Sequence, residues 1–399
     1  MKLPRICAPL FLSCIFLIAA AQSTTEAAKK PLNQVQILTL LAGEVPSHRV
    51  AMLVGERGID FEPTDAFLEQ VRRGGGEDEL IQALKTGRVQ RPAMLTSTSA
   101  ANSAGLSPAQ QEELQQHAAR GAEFFEQHHN AEAEAEYRAA VRLDPQNSDL
   151  HVALSRALNA QKKTEEGEQE AREALRLNPT NDLGHYALGN SLRLKEDYAG
   201  AIAEFREAIR LNPNFDMAHN NLGVALKHQG DADGALAEYR EAVRLNPLNE
   251  LAVVNLARSL ADKGDRDGAV AQYREYLSRI PTSDRVHNNL GVLLHQQGDE
   301  EGAFAEYREA ARLNPNNDLA LGNIGLVLER RGDLDGAIAE YREAVRANLK
   351  NATAHYHLGM ALERKGNHPE ALEELRVATT LAPTNNQYRQ AYERALKGM

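Results

Sequence analysis

An all-α solenoid of stacked helical hairpins is the fold this sequence predicts, and three observations predict it. Prolines stand at 145, 179, 213, 247, 281, 315 and 383, every interval being 34 residues or twice 34, with Leu349 in the skipped place. Small residues recur at two fixed points of that period, for example Gly189, Gly223 and Gly291 at one and Ala201, Ala235 and Ala303 at the other. Aromatics make up only 5% of the chain and Trp is absent, against 42% apolar and 25% charged residues, a composition of helices packed through small side chains. Self-similarity at this period is the mark of an array in which each unit buries its apolar face against its neighbours.

The first element is short. Met1-Lys2-Leu3-Pro4-Arg5 is followed by a largely apolar run from Ile6 to Ala21 that closes on small residues. A basic start, an apolar stretch below membrane-spanning length and a small-x-small ending predict a secretory signal peptide over 1–21, cut after Ala21. An uncleaved membrane anchor facing the periplasm is the alternative, and would be the chain's only tie to a membrane. A lipoprotein reading on Cys14 fits less well, because Ile15 to Ile18 continue the apolar run past it. Cys7 and Cys14 are the only cysteines, so a chain cut after Ala21 carries no thiol chemistry.

Residues 32–92 form a second element, a small four-helix module. Its apolar helices lie around Ile37–Leu41, Val50–Val54, Phe67–Val71 and Leu80–Leu84. The Ser/Thr/Ala-rich stretch that follows has no apolar period and reads as a flexible linker over 93–107. Ser107-Pro108 then starts the first repeat helix, with Ser as N-cap and Pro in the first turn.

Eight repeats occupy 108–385. Units begin at Leu114, Ser148, Asp182, Asp216, Glu250, Asp284, Asp318 and Ala352. Unit positions 4, 7, 8 and 11 follow the i, i+3, i+4, i+7 rule and define the buried stripe of a first helix. Position 20, an aromatic at position 24 in Tyr137, Phe205, Tyr239, Tyr273, Tyr307 and Tyr341, and Ala at position 27 define a second. Gly230, Gly264, Gly298, Gly332 and Gly366 are placed to stop the first helices, and Asp231, Asp265, Asp299 and Asp333 to cap the second. Asn-Pro pairs end the second helices, since proline disfavours α geometry in the residue before it. Unit two departs most, through Ser155, Gly167 and Ala171, and is expected to be the softest joint. Residues 386–399 form a capping helix whose apolar face is Tyr388, Ala391, Tyr392, Ala395 and Leu396.

In period, small residues, aromatic and proline, the run from Leu114 to Asn385 resembles the tetratricopeptide repeat (TPR) family. The resemblance implies a right-handed superhelix whose first helices line a concave groove, in a protein that binds other proteins. The small module is similar to ones at the N-termini of some bacterial repeat proteins, with Val45–Val50 and Arg57–Phe61 as the marked stretches.

Chemistry of other kinds is not expected. A net charge of -11 without a Lys/Arg block opposes binding to nucleic acid. No Gly-rich phosphate loop, His-Glu-x-x-His motif or Gly-x-Ser-x-Gly elbow occurs, so the sequence predicts no enzyme, no cofactor and no small-molecule substrate. Histidine recurs at position 4 in His117, His151, His185, His219, His287 and His355, one per unit on the packing face, which predicts structural rings and no metal site. The Glu-rich strings of the second helices read as solvated faces with modest ion pairs.

Position 6 points elsewhere. It lies roughly 150° around the first helix from the packing stripe, and there Asn221, Asn255, Asn289 and Asn323 stand in four consecutive units. This ladder is similar to the peptide-holding asparagines in the repeats of O-linked N-acetylglucosamine transferases, although no glycosyltransferase domain accompanies it here. Each amide offers two N–H donors and one acceptor, enough to pair with a peptide unit. Lys227, Arg258, Arg330 and Arg364 on the same side favour acidic or C-terminal carboxylate groups. The expected function is therefore a periplasmic or secreted scaffold that takes an extended segment of a partner protein into its groove, possible work being cell-envelope assembly. The alternative is a structural subunit that docks folded partners through the N-terminal module, with the solenoid as a spacer.

Overall fold

The computed structural model describes residues 106–398 and, before them, residues 78–86 and the single positions Ile37, Val50, Val54, Leu68, Val71 and Arg72. Among the described residues all regular structure is helical. The chain divides into two compact units, Met1–Glu112 and Glu113–Met399. In the first, helix α1 (Asp78–Thr86) buries Leu80, Ile81 and Leu84 along one face, and Ile37, Val50, Val54, Leu68 and Val71 are helical and buried. The signal-like segment 1–21, the linker up to residue 105 and the rest of the small module lie outside the described residues.

The repeats form eight hairpins. They are α2 (Pro108–Glu126) with α3 (Asn130–Leu143), α4 (Ser148–Ala160) with α5 (Thr164–Leu177), α6 (Asp182–Leu194) with α7 (Tyr198–Leu211), and α8 (Asp216–Gln229) with α9 (Ala232–Leu245). Then come α10 (Glu250–Asp262) with α11 (Arg266–Arg279), α12 (Asp284–Gln296) with α13 (Glu300–Leu313), α14 (Asp318–Arg330) with α15 (Leu334–Ala347), and α16 (Ala352–Lys365) with α17 (His368–Leu381). A single helix, α18 (Asn386–Gly398), ends the array. From α4 on each first helix packs on its hairpin partner, and from α3 on each second helix packs on the helix that follows it, which is the connectivity of an α-solenoid.

Close approach within a hairpin depends on position 8. A Cβ added to Gly223 would lie 2.7 Å from Cε1 of Tyr239, and one on Gly291 2.6 Å from Cε1 of Tyr307. The position-24 ring thus covers the bare glycine backbone and is itself buried. Unit two solves the same problem with the sizes exchanged. Ser155 stands where six of the other seven units have glycine, Ala171 replaces the ring, and the Ser155 hydroxyl donates to the Gly167 carbonyl at 2.6 Å in a fully buried contact. The smaller partner makes room for the larger residue, while Asn159 Oδ1 in the same hairpin is buried without a hydrogen-bond partner among the described residues. In unit five, where Ala257 holds position 8, the two helices lie less closely together than in units three, four, six, seven and eight.

The helix ends follow the sequence. Ser107 and Gln110 form a reciprocal capping box at the start of α2, the Ser107 Oγ accepting from the Gln110 N–H at 3.3 Å and the Gln110 Oε1 from the Ser107 N–H at 3.0 Å. Asp231, Asp265, Asp299 and Asp333 accept from the backbone N–H of Gly234, Gly268, Gly302 and Gly336. The hairpin turns of units four to eight hold glycines at φ between +82° and +93°, whereas units one to three hold His128, Lys162 and Glu196 there at φ of 60° to 63°.

Asparagine also ties unit to unit. Asn249, Asn317 and Asn351 cap the next first helix with Oδ1, while their Nδ2 donates back to Asp216, Asp284 and Asp318 at the start of the preceding one, at 2.9, 2.8 and 2.7 Å. Buried side chains join into one cluster from Val152 to Val327. At the end of the array α18 buries Tyr388, Ala391 and Ala395, but Leu396 is 54% exposed. The apolar face expected of the capping helix is one residue too wide, Leu396 facing away from α17.

Candidate interaction face of the first helices

Unit positions 2, 6, 9 and 13 are spaced i, i+4, i+7, i+11 and share the face of a first helix that points away from its hairpin partner. First helices of successive units touch one another, for instance α4 with α6 and α8 with α10, so these faces adjoin. Position 2 of three units carries large apolar side chains in the open: Met217, Leu251 and Leu319 are 36%, 53% and 61% exposed. Sequence reasoning passed over them because their nearest apolar neighbours in sequence belong to the packing stripe. Their signal is the 34-residue interval between Met217 and Leu251, and twice that to Leu319.

The four asparagines of the ladder stand on this face, half-buried, and three of them are bonded sideways. Asn221 Nδ2 donates to the Tyr186 hydroxyl at 3.1 Å and to Asn190 Oδ1 at 2.8 Å, while its own Oδ1 accepts from Asn220 at 3.0 Å. Asn255 donates to Asn220 Oδ1 and Asn323 to Asn288 Oδ1, each at 2.9 Å, and the Asn289 amide lies beside the Tyr273 phenol, whose pKa burial raises. Three of the four rungs thus link position 6 of one unit to position 5 of the unit before, and part of those three amides' capacity is already used in stacking the array. Unit eight ends the ladder with His357, stacked on Tyr341 at 5.6 Å, where burial pushes the ring's pKa down.

The cations are partnered in the same lateral way. Lys227 Nζ lies 2.7 Å from Asp262, and Arg330 lies 2.5 Å from His295 Nε2 and 3.3 Å from Glu300. Arg364 pairs with Glu329. Only Arg258 of the four has no carboxylate partner among the described residues, its Nη2 donating instead to Asn255 Oδ1 at 3.1 Å. The preference for an acidic ligand expected from these cations is therefore reduced to Arg258, because the other three charges are paired with carboxylates of the neighbouring unit. Lys227 with Asp262, Glu329 with Arg364 and His295 with Arg330 all join position 12 of one unit to position 13 of the next, a 35-residue separation that is visible in the sequence once the period is known.

The position-4 histidines lie on the opposite, packing side, each bonded to a glutamate of its own hairpin. Among the described residues no three His, Cys, Asp or Glu side chains converge as ligands of a metal, and no helix is long and apolar enough to cross a membrane. What the face can do is present amide groups, apolar side chains and the Arg258 guanidinium to an extended chain.

A family model described as tetratricopeptide repeat matches the chain over residues 119–182, 186–250, 254–318 and 323–386. Among solved structures, a chain of the Cut9–Hcn1 hetero-tetramer of the APC/C is similar at a TM-score of 0.55 and 15% identity, covering 92% of this chain and 67% of that one. A tetratricopeptide repeat protein from Parabacteroides merdae aligns at a TM-score of 0.47 and 14% identity over 63% of this chain and 99% of its own. YrrB, described as a TPR protein with an unusual peptide-binding site, aligns at 0.37 and 23% identity over 46% of this chain and 95% of its own. A search of the curated proteins finds no match.

Proposed function

This chain belongs to the tetratricopeptide-repeat family, whose members generally mediate protein–protein interaction and are typically non-catalytic, and from that premise we propose that it is a scaffold holding an extended segment of another protein along its first helices. The observation that carries this reading is the line of exposed Met217, Leu251 and Leu319 beside Asn221, Asn255, Asn289, Asn323 and Arg258. Exposed apolar side chains scattered singly need no explanation, but Met217 and Leu251 at the repeat interval on adjoining helix faces, with Leu319 two units further on, suit a ligand that runs along the array. The remaining amide valences would take backbone C=O and N–H groups, and Arg258 a carboxylate, with Lys227, Arg330 and Arg364 as secondary sites that must first release their own partners. The signal-like start motivates the rest of the proposal: an exported protein, periplasmic or secreted, serving assembly in the cell envelope.

The test is a pull-down with full-length protein carrying Leu251→Gln, Leu319→Gln and Arg258→Ala. These side chains are exposed, so the melting temperature is expected to hold while partner retention falls. Full retention would remove the face as the site, and loss only on deletion of residues 32–92 would place docking in the small module. N-terminal sequencing of the mature protein is expected to start at Gln22 or a near neighbour, and a cytoplasmic chain that keeps Met1 would refute export.

A further inference from the structure

Six of the eight units carry a histidine at position 4 and a glutamate at position 23, nineteen residues apart. In five of them the ring makes the same pair of contacts. Nδ1 of His151, His185, His219 and His287 lies 2.6 Å from Oε2 of Glu170, Glu204, Glu238 and Glu306, and Nδ1 of His355 lies 2.5 Å from Glu374. Nε2 of the same rings lies 3.1 to 3.3 Å from the backbone carbonyl of Pro145, Pro179, Pro213 and Pro281, and for His355 3.2 Å from that of Leu349. A carbonyl can only accept, so Nε2 carries a hydrogen, and an ionised carboxylate also only accepts, so Nδ1 carries another. The geometry is that of a charged imidazolium bridging the second helix of its own hairpin and the turn that ends the preceding unit.

The two remaining units behave as internal controls. Unit five has neither member of the pair, with Val253 and Gln272 in the two places. Unit seven has the glutamate without the histidine, Glu340 opposite Leu321, and there burial together with Glu343 pushes the carboxyl up.

We propose that these five clamps make the solenoid graded by pH: hairpin pairing, and the seating of each hairpin on the turn before it, tighten as the rings gain a proton and slacken unit by unit as the rings lose it. Losing one proton forces a ring to give up one of its two bonds. Either the short Nδ1–carboxylate contact becomes an opposition of lone pairs, or the remaining N–H serves the glutamate and abandons the carbonyl.

The charges around the rings agree with this direction. For His151 burial alone would lower the pKa, but the bonds to Glu170 and the Pro145 carbonyl and the charges of Glu170 and Glu173 outweigh it. His219 and His287 show the same balance with Glu238 and Glu241, and with Glu306 and Glu309. For His185 and His355 the bonds to Glu204 and Glu374 dominate over burial, with Glu207 adding at the former. Each second glutamate is held in turn by an arginine one turn on: Glu173 by Arg176, Glu207 by Arg210, Glu241 by Arg244 and Glu309 by Arg312. His117 is different, since Arg120 lies 3.0 Å from its Nδ1 and 3.2 Å from Glu136, with Glu113 at 3.8 Å, and no turn precedes it, so it is not counted among the clamps. A ring whose folded pKa exceeds its unfolded value of about 6.5 contributes stability that is full below that value and is lost as pH rises through the folded one. Glu340, raised above its own unfolded value, loses stability in the same direction but over the acid range.

The test uses the full chain. Histidine ring signals followed by NMR against pH are expected to show five rings titrating above the ordinary value, and five rings titrating at or below it would overturn the proposal. Melting temperatures at about pH 6 and about pH 8.5 are then compared for three proteins. The wild type is expected to melt lower at the higher pH, the His151→Gln, His185→Gln, His219→Gln variant to lose most of that difference, and Leu321→His, which completes the clamp in unit seven, to enlarge it. Equal differences in all three would refute the clamps. Should Leu321→His not fold, Glu340→Gln is expected to remove the loss below about pH 6.5 and leave the fall above it untouched, and a changed fall above it would count against the proposal.

Discussion

Replacing Gly291 by Ala tests whether position 8 sets the spacing of a hairpin. The new methyl carbon would lie 2.6 and 2.7 Å from Cε1 and Cδ1 of Tyr307 and 3.1 Å from the Ala303 carbonyl oxygen. Non-bonded carbons rest about 3.5–4.0 Å apart, so ring and helix must retreat by roughly 1 Å. Tyr307 is only 3% exposed and has nowhere to turn, which makes α13 the part that moves. Overpacking of this kind costs about 1–3 kcal/mol, while Gly to Ala within a helix returns about 1 kcal/mol. Gly322→Ala is the matched control, because a Cβ there meets nothing within 4 Å. The propensity gain cancels between the two variants, so Gly291→Ala is expected to be less stable than Gly322→Ala by about 1–3 kcal/mol. Guanidinium unfolding of the full chain, followed by circular dichroism, measures the difference. Equal stability of the two variants would refute the reasoning, and unit five, where Ala257 accompanies a looser hairpin, indicates how the array would accommodate the change.

Glu196 adopts φ of 63° at a turn where five units use glycine, so Glu196→Gly is expected to raise the unfolding free energy by about 1 kcal/mol, and a lowered one would contradict the strain. Asn317→Ala removes both the cap of α14, 3.0 Å to the Ala320 N–H, and the 2.8 Å bond to Asp284. It is expected to lower stability by about 1–2 kcal/mol and to speed amide exchange in the first turn of α14. Removing residues 386–399 bares Tyr356, Leu375 and Ala378, and the melting temperature is expected to drop by a modest step, whereas complete unfolding would count against nearest-neighbour stability.

The fold was legible because the period carries it. Once the prolines set the frame, the glycine at position 8, the ring at position 24 and the caps Asp231 to Asp333 each fell on the residue the structure uses. What escaped lies between units. Asn221, Asn255 and Asn323 read as free donors when a single helix is considered, yet each reaches position 5 of the preceding unit. Lys227, Arg330 and Arg364 likewise read as free charges until they are paired with residues of adjoining helices, a separation that a single-helix wheel does not display. The histidines were placed on the packing face correctly, but their partners nineteen residues away belong to the second helix, and only the joint absence of histidine and glutamate in unit five marks the pair. Leu396 continues the helical apolar pattern of α18 but stands 54% exposed, because periodicity alone does not say how much of a face its neighbour covers.

Photo-crosslinking from defined positions tests the central claim most directly. A crosslinker is placed in turn at Leu251 and Leu319 on the first-helix face, and at Arg244 and Arg312, whose side chains are 65% and 67% exposed on second helices. If the protein holds an extended segment along its first helices, adducts form from Leu251 and Leu319 and map to one short stretch of a partner chain, ordered along it as the two positions are ordered along the array. Adducts formed only from Arg244 and Arg312 would contradict the account.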